Sequence, residues 1–211
     1  MVSVCSADLA VFDDFSSYQQ AGPGRGFQSG TYSANWESGA LHPPGDTNQW
    51  QIMYQPVYAP EHGLFAGTFG TSRTNYEWLT FTATDTGPIR SAKLSFDYLV
   101  QTRADMQISV SSNPQQGFQN VPFSFVKQVN QGQIVDNSGE IDLTPYLSEG
   151  SSQISVRFDS VTYVTPYTHV YVDNFKLDTQ AVPLPSVACT SLLMLACLAG
   201  CRFTQRRRSL A

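Results

Sequence analysis

The sequence predicts an all-β protein, a two-sheet antiparallel β-sandwich of the jelly-roll type, followed by a C-terminal transmembrane helix. Short runs of alternating apolar and polar residues recur along the chain, and clusters of Gly, Pro, Asn and Asp separate them. This alternation has the period of a strand, and no convincing helical period precedes the tail. Only 14% of the 211 residues are charged and 12% are aromatic, which is typical of a turn-rich β protein.

Nine of these runs are candidate strands within a predicted domain that covers residues 8–180. The runs are 8–15, 50–55, 77–84, 92–102, 105–112, 122–129, 139–144, 152–161 and 169–178. Turn-forming stretches such as "HPPGDTNQ" and "SNPQQG" lie between them. Nine short strands without an internal repeat favour two packed antiparallel sheets.

Residues 1–7 are interpreted as a signal-peptide remnant. The run "MVSVCSA" has neither a basic beginning nor a full apolar stretch, so it is not a complete signal peptide. Cys5, Ser6 and Ala7 are small residues that suit the cleavage site of a signal peptide that starts upstream. A lipobox ending at Cys5 and a genuine cytoplasmic start are the alternatives.

Charge is divided unevenly between the body and the tail. Four of the 12 basic residues, Arg202 and residues 206–208, lie in the tail, and no acidic residue follows Asp178. The rest of the chain carries 8 basic against 17 acidic residues, a balance of −9. Phosphate backbones would repel such a body, which excludes nucleic acid as a partner. No cysteine lies between Cys5 and Cys189, which excludes body disulfides and cysteine zinc sites.

The tail has the pattern of a membrane-spanning helix. Residues 186–201 carry no charge and would span about 24 Å as a helix. Residues 182–185 and snorkelling arginine stems would extend this length to that of a bilayer core. The positive-inside rule keeps "RFTQRRR" on the cytoplasmic side, so the acidic body would lie outside. We therefore expect an exported protein, at the cell surface or in the extracellular space, that the inner membrane holds transiently or lastingly.

The same tail resembles a known sorting signal. A Val-Pro-x-Pro motif, a short apolar helix and a terminal arginine cluster make residues 182–211 similar to the PEP-CTERM signal of Gram-negative bacteria. The matching residues are Val182, Pro183, Leu184, Pro185, Arg206, Arg207 and Arg208. The resemblance implies that an exosortase, a membrane cysteine protease, is a partner and cuts near the prolines. Leu184 replaces the usual Glu, and a plain C-terminal membrane anchor is the alternative.

Two runs at opposite ends of the body each place an aspartate on an apolar face. In the first run, Asp13 shares a face with Val11 and Phe15 by period-two alternation. In the last run, Asp173 shares a face with Phe175 in the same way. A buried carboxylate without a partner is costly, and two that lie close together repel. A bound Ca²⁺ would remove both penalties, because it prefers hard oxygen ligands.

A second resemblance bears on these aspartates. The run "DDF" at 13–15 and the run "VYVDNFKL" at 170–177 look like the first and last strands of galactose-binding-like jelly rolls, which occur in many carbohydrate-binding modules. The resemblance implies that these two strands lie side by side. It also implies a structural Ca²⁺ held by Asp173 together with Asp13 or Asp14. The alternative is that all three aspartates cap strand ends or are solvated.

Aromatic residues give the positive indication of ligand binding. Flat rings stack on sugar faces, and the candidates for this role are Trp36, Trp50, Tyr163 and Tyr167. Both tyrosines lie in "SVTYVTPYTH", a loop-like stretch before the last predicted strand. The alternative for each tryptophan is a place in the sandwich core.

Other constellations do not favour catalysis. Glu140 and Asp142 share a strand face, as in laminarinase-like glycosidases, but Pro145 stands where the third acid would lie. The histidines lack metal-ligand spacing, and neither a nucleophile elbow nor a phosphate-binding loop is present. The sequence therefore predicts an exported, non-catalytic surface or extracellular-matrix protein with extracellular polysaccharide as a candidate ligand. The alternatives are a small secreted polysaccharide-active enzyme of the same fold and a structural surface-layer subunit.

Overall fold

The computed structural model describes an all-β fold. The described residues are 8–15, 35–41, 50–54, 64–69, 74–113, 116–128, 135–163 and 168–182. Within them the chain forms thirteen strands and one 3₁₀ turn, Thr144–Tyr146. The strands are β1 (Asp8–Asp13), β2 (Trp36–Leu41), β3 (Gln51–Tyr54), β4 (Leu64–Phe69), β5 (Asn75–Thr84), β6 (Ile89–Gln101), β7 (Ala104–Ser111), β8 (Gln119–Val121), β9 (Lys127–Gln128), β10 (Asp136–Asn137), β11 (Ile141–Asp142), β12 (Gln153–Thr162) and β13 (His169–Ala181).

The strands form two sheets, which confirms the predicted sandwich. The eight-stranded sheet has the order β10-β6-β13-β4-β3, with β1 also paired to β13 and with β9 and β11 also paired to β6. The five-stranded sheet has the order β2-β5-β12-β7-β8. All of these pairings are antiparallel except the short parallel pairing of β9 with β6. Strands β1 and β13 lie side by side, with Asp13 opposite Phe175.

Period-two alternation on β5 shows how the core forms. Leu79, Phe81 and Ala83 are buried between the sheets, while Trp78 and Thr80 alternate outward. The interior aromatic rings of both sheets meet at centroid distances of about 5 to 6 Å. These pairs include Trp36–Phe81 at 4.9 Å, Trp36–Phe175 at 5.0 Å and Phe96–Phe158 at 5.0 Å. Thr68 of β4 also donates a hydrogen bond across the interior to the buried Glu77 of β5.

The structure differs from the predicted strands at several places, among them β2 and β4, which were not predicted. Strands β2 and β4 carry a glycine in mid-strand, which interrupts the alternation that marks a strand in sequence. The predicted strand 122–129 pairs only at its end, as β9. It begins at Pro122, which has no N–H, and the chain then crosses from β8 in the five-stranded sheet to β9 in the eight-stranded sheet. Residues 139–144 contain only the two-residue strand β11 before the chain turns at Pro145.

Several predictions fall on residues outside the described ranges. These are residues 1–7, Tyr167, the motif residues Pro183, Leu184 and Pro185, the predicted helix 186–201, and Arg206, Arg207 and Arg208. Val182 is described: it follows the last residue of β13, is 46% exposed and donates its N–H to the carbonyl of Pro88 at 2.7 Å. Within the described part of the chain, no helix is long and apolar enough to span a bilayer.

Candidate ligand-binding face

A row of outward side chains crosses the outer face of the five-stranded sheet. Trp78 of β5 lies opposite Gly39 of β2 on one side and opposite Asp159 of β12 on the other. Asp159 in turn lies opposite Gln107 of β7. We call Gly39, Trp78, Asp159 and Gln107 the Trp78 row. Directly paired residues point to the same face of a sheet, so this row combines an indole with a carboxylate and an amide.

The indole of Trp78 lies over the backbone of Gly39. A Cβ atom added to Gly39 would be 2.1 Å from Cζ2 and 2.4 Å from Cε2 of Trp78, so the ring occupies the space that a side chain would need. An aromatic ring that covers a glycine on a neighbouring strand is a recognised way to stabilise an edge strand. Trp78 as a whole is partly buried and partly exposed.

The neighbouring row on the same face exposes apolar surface. Leu41, Tyr76, Val161 and Asp105 are opposite one another in succession across β2, β5, β12 and β7. Leu41 is 70% exposed and Tyr76 is 53% exposed. Large apolar side chains that lie together on a surface indicate an interaction site.

Both rows lead into a cleft of about 670 Å³ at the β7–β8 end of the sheet. Its lining residues are Asp105, Met106, Gln107, Asn120, Val121, Pro122, Phe123, Ser124, Asp159, Val161 and Tyr163. Tyr163, a predicted ligand-binding residue, is 43% exposed there. Its hydroxyl donates to Oδ2 of Asp105 at 2.8 Å, which holds the ring at the cleft.

The carboxylate of Asp105 is held in its charged form. Lys127 donates a hydrogen bond and forms an ion pair with Oδ1, while the Tyr163 hydroxyl bonds Oδ2. The hydrogen bond from Lys127, followed by that from Tyr163, lowers the pKa of Asp105 below its usual value. The same contact raises the pKa of Tyr163, because its proton is shared with an anion.

Asp159 is paired in a similar way. Nε of Arg157 lies 2.9 Å from Oδ1 and 3.1 Å from Oδ2 of Asp159, and the hydroxyl of Ser109 donates to Oδ2 at 2.8 Å. The guanidinium carbon of Arg157 also lies 4.3 Å from the ring centroid of Phe118. Each carboxylate in the cleft therefore has one cation beside it.

The two predicted tryptophans have a different role. Trp36 is 2% exposed and packs against Phe81 and Phe175, while Trp50 is fully buried near Phe158. Neither ring offers a face to a sugar, which corrects their assignment as ligand-binding residues. Trp78, by contrast, lies on the outer face of its sheet and is only partly buried. Its alternation with Thr80 in "EWLTFTAT" is the sequence signal that separates it from a core tryptophan.

The three predicted metal ligands do not share one face. Asp13 lies opposite the core residue Phe175, whereas Asp173 lies opposite Asp97 on the outer side of the eight-stranded sheet. A β-bulge between Asp173 and Lys176 reverses the alternation that the sequence implied.

Protein donors occupy these carboxylates in part. Oδ1 of Asp13 accepts the N–H of Phe15 and Oδ2 accepts the indole N–H of Trp36, both at 2.9 Å. Asp173, which is 5% exposed, accepts the N–H of Asn174 at 2.8 Å. Asp14 directly follows the last residue of β1 and is half-buried. Among the residues that the structure describes, no three His, Cys, Asp or Glu side chains converge on one metal position.

The pair Glu140 and Asp142 lies on the other sheet, away from the cleft. Glu140 forms an exposed ion pair with Lys93 at 2.7 Å. Asp142 accepts the N–H of Thr144 at 2.9 Å, and the contacts with Thr144 lower its pKa. These contacts belong to a strand edge that faces solvent.

The molecule is thus a β-sandwich in which the Trp78 row on the outer face of the five-stranded sheet leads into a cleft.

No family model matches the sequence, and no curated protein matches it. Solved structures with a similar chain trace include the module TmCBM61 in complex with β-1,4-galactotriose. The two sequences are 12% identical, the match covers 75% of this chain and 97% of that one, and the TM-score is 0.48. The cleaved adhesin domain K1 of Lys-gingipain from Porphyromonas gingivalis is 16% identical over 83% and 99%, with a TM-score of 0.47. The CBM22-1 xylan-binding domain from Paenibacillus barcinonensis Xyn10C is 12% identical over 82% and 94%, with a TM-score of 0.45. Likenesses this distant assign no ligand to the chain.

Proposed function

We propose that the outer face of the five-stranded sheet binds carbohydrate. The observation that carries the proposal is the partly exposed Trp78, whose indole lies over Gly39 and is followed across the sheet by Asp159 and Gln107. The C–H face of a pyranose packs on an aromatic ring, while carboxylate and amide groups hydrogen-bond its hydroxyls. An apolar platform beside a few polar groups has the composition of a sugar site.

The dimensions of the face suit a short stretch of glycan. Neighbouring strands are about 4.8 Å apart, so Trp78 and Gln107 are separated by roughly 10 Å. This is about the length of a disaccharide. The cleft beyond Gln107, with Asn120 and Ser124 in its lining, has room for a further sugar unit. A glycan that crosses the strands would therefore contact Trp78 at one end and the cleft at the other.

Substitution of Trp78 tests this proposal. We expect Trp78→Ala to weaken binding to soluble polysaccharides at least tenfold in affinity electrophoresis or calorimetry, because the stacking surface is removed. Phe12→Ala is the matched control, since Phe12 is 63% exposed but lies on β1 of the other sheet. Carbohydrate binding on this face is refuted if no polysaccharide binds, or if Trp78→Ala binds as tightly as the native protein.

A polysaccharide-active enzyme is the second candidate, because two carboxylates, Asp105 and Asp159, line the cleft. Retaining and inverting glycosidases both need one protonated acid beside one carboxylate. The lowered pKa of Asp105 keeps it ionised, so Asp105 does not supply the protonated acid. Asp159 is engaged in an ion pair with Arg157, and both observations favour binding over hydrolysis. Release of reducing ends by the native protein, abolished in Asp105→Asn, would establish the enzyme instead.

For the tail, our proposal is export, recognition by an exosortase and membrane insertion of residues 186–201. Strand β13 ends at Ala181, so cleavage within residues 182–185 would leave the sandwich whole. Mass spectrometry of the protein from its own host tests this. We expect a new C-terminus near the prolines, and the uncut tail when the exosortase gene is deleted. A tail that is uncut in both strains would leave only the plain membrane anchor.

A structural Ca²⁺ remains part of the proposal, with Asp173 and Asp14 as its carboxylate ligands. Asp173 is buried, Asp14 directly follows β1, and the indole of Trp36 already engages Asp13. Because no three acidic, His or Cys side chains form a metal-binding group in the described part of the chain, backbone carbonyls would complete the shell. We expect Ca²⁺ to raise the melting temperature by several degrees over chelator. Asp173→Asn should remove the shift, and Glu140→Gln should retain it. If neither chelator nor Ca²⁺ changes the melting temperature, the proposal of a structural Ca²⁺ site is refuted.

A further inference from the structure

We infer that the cleft selects uncharged glycans and rejects those that carry uronic acids, an inference that rests on the proposed carbohydrate-binding function. Among the described residues that line the cleft, Asp105 and Asp159 are charged, and both are acidic. An acidic sugar placed beside Gln107 would bring its carboxylate close to these two groups. Recognition of a uronate requires an available cation or an array of N–H donors at that point.

The cations beside the two cleft carboxylates already have partners. Lys127 is paired with Asp105, and the side chain of Arg157 contacts both oxygens of Asp159 while it lies over the ring of Phe118. To bind a uronate, either cation would have to leave its aspartate, which would then face the incoming carboxylate. The exchange replaces one ion pair with another and adds a like-charge contact.

The negative net charge of the chain outside the tail also disfavours acidic glycans. Outside the tail the chain carries 8 basic and 17 acidic residues. A polyanion that approaches the cleft therefore meets a negative field before it makes any contact. A neutral glycan meets no such barrier, because hydroxyl groups can donate to Asp105 and Asp159 as they are.

The test compares polysaccharides that share a backbone and differ in charge. The probes are pectate and its methyl ester, alginate and its propylene glycol ester, and carboxymethylcellulose and hydroxyethylcellulose. For the pair whose backbone the protein binds, we expect the neutral form to bind at least fivefold more tightly at low salt. Salt should narrow this gap by strengthening the acidic form, since screening at 0.1 M acts over about 10 Å.

A double substitution should largely remove the preference for the neutral polymer. Asp105→Asn with Asp159→Asn keeps the hydrogen-bond acceptors but leaves Lys127 and Arg157 without their carboxylates. We expect binding of the acidic polymer to rise at least fivefold, with a smaller change for the neutral one. The matched control is Glu140→Gln with Asp142→Asn, which changes the net charge equally on the other sheet and should leave the preference intact.

The outcomes distinguish a failure of carbohydrate binding from a failure of charge selectivity. If no polymer binds in either form, carbohydrate binding fails, and selectivity fails with it. If the acidic form binds as tightly as the neutral form, binding stands and the inference about charge is overturned. A similar gain in both double variants would assign the effect to net charge rather than to the cleft. The salt dependence of the native protein decides the question if the double variant does not fold.

Discussion

Two cross-strand rows on opposite sides of the sandwich have similar composition and different surroundings. On the five-stranded sheet, Gly39, Trp78, Asp159 and Gln107 are opposite one another in succession. On the eight-stranded sheet, the corresponding row is Gln51, Gly67, Tyr171 and Leu99. Each row faces away from the core and pairs a glycine with a large aromatic residue. We call the second one the Tyr171 row.

Burial distinguishes the two rows. Tyr171 is 5% exposed, Leu99 is 1% exposed and Gln51 is 7% exposed, although all three point away from the interior of the sandwich. Trp78 is half-buried, and Tyr76 beside it is 53% exposed. An outward position in a strand therefore does not by itself define a ligand-binding face. Of the aromatic residues in the two rows, Trp78 is partly exposed and Tyr171 is buried, which agrees with the proposed site on the five-stranded sheet.

The largest expected effect compares the two aromatic residues directly. Tyr171→Ala should lower the free energy of unfolding by about 3 to 5 kcal/mol, as for a buried aromatic residue. Trp78→Ala should cost about 1 kcal/mol, because its ring is partly solvated, yet it should abolish most glycan binding. Urea unfolding and affinity electrophoresis on the same samples test both statements. Equal losses of stability would mean that the Trp78 ring is part of the packing.

The sequence predicts the strand that carries Trp78 but not the neighbours of that residue. The candidate strand 77–84 contains β5 apart from its first two residues, yet the predicted ligand-binding tryptophans are Trp36 and Trp50 rather than Trp78. Its alternation with the buried Leu79 and Phe81 marks Trp78 as outward. The order β2-β5-β12-β7, which brings Asp159 and Gln107 to Trp78, joins segments far apart in the chain, and a local pattern carries no information about such pairing. Strand β2 itself was not predicted, because Gly39 interrupts its alternation.

The same limitation explains why the sequence assigned Asp173 to the wrong face. Alternation across "VYVDNFKL" assumes a regular strand, whereas the bulge after Asp173 shifts the alternation of β13, so that Asp173 points outward and Phe175 points inward. Asn174, with φ of 47°, adopts the left-handed conformation that such an irregularity requires. No residue type in the run announces the bulge, because asparagine is also common in loops and turns.

The second prediction concerns the side of the eight-stranded sheet that faces away from the sandwich core, where Tyr171 is nevertheless buried. His169, stacked on Tyr171 with centroids 5.5 Å apart, has its pKa lowered by burial from 6.5 to about 4. The folded state therefore favours the neutral ring, while the unfolded state takes up a proton near pH 6.5. Stability from this group is complete above pH 6.5 and is lost as the pH falls toward 4, by up to about 3 kcal/mol.

Urea titrations between pH 4 and 7.5 measure this loss, and His169→Gln isolates it from the contribution of the carboxylates. We expect the variant to have a flatter stability profile across this range than the native protein. Identical profiles would mean that His169 is solvated like an ordinary surface histidine. The buried character of the Tyr171 row would then be in doubt.

Gly39→Ala has a smaller expected effect on stability than Tyr171→Ala or the protonation of His169, and it tests how the Trp78 ring is held. The new methyl group would lie 2.1 Å from the indole, so the ring must move off β2. Loss of the ring's contact with the strand should cost roughly 1 to 2 kcal/mol. Binding should fall nearly as far as in Trp78→Ala, because a displaced indole no longer lies in line with Asp159 and Gln107. Ser38→Ala on the same strand points inward and serves as the control. Native binding by Gly39→Ala would show that the platform tolerates a displaced ring, and the role of the glycine in positioning Trp78 would be lost.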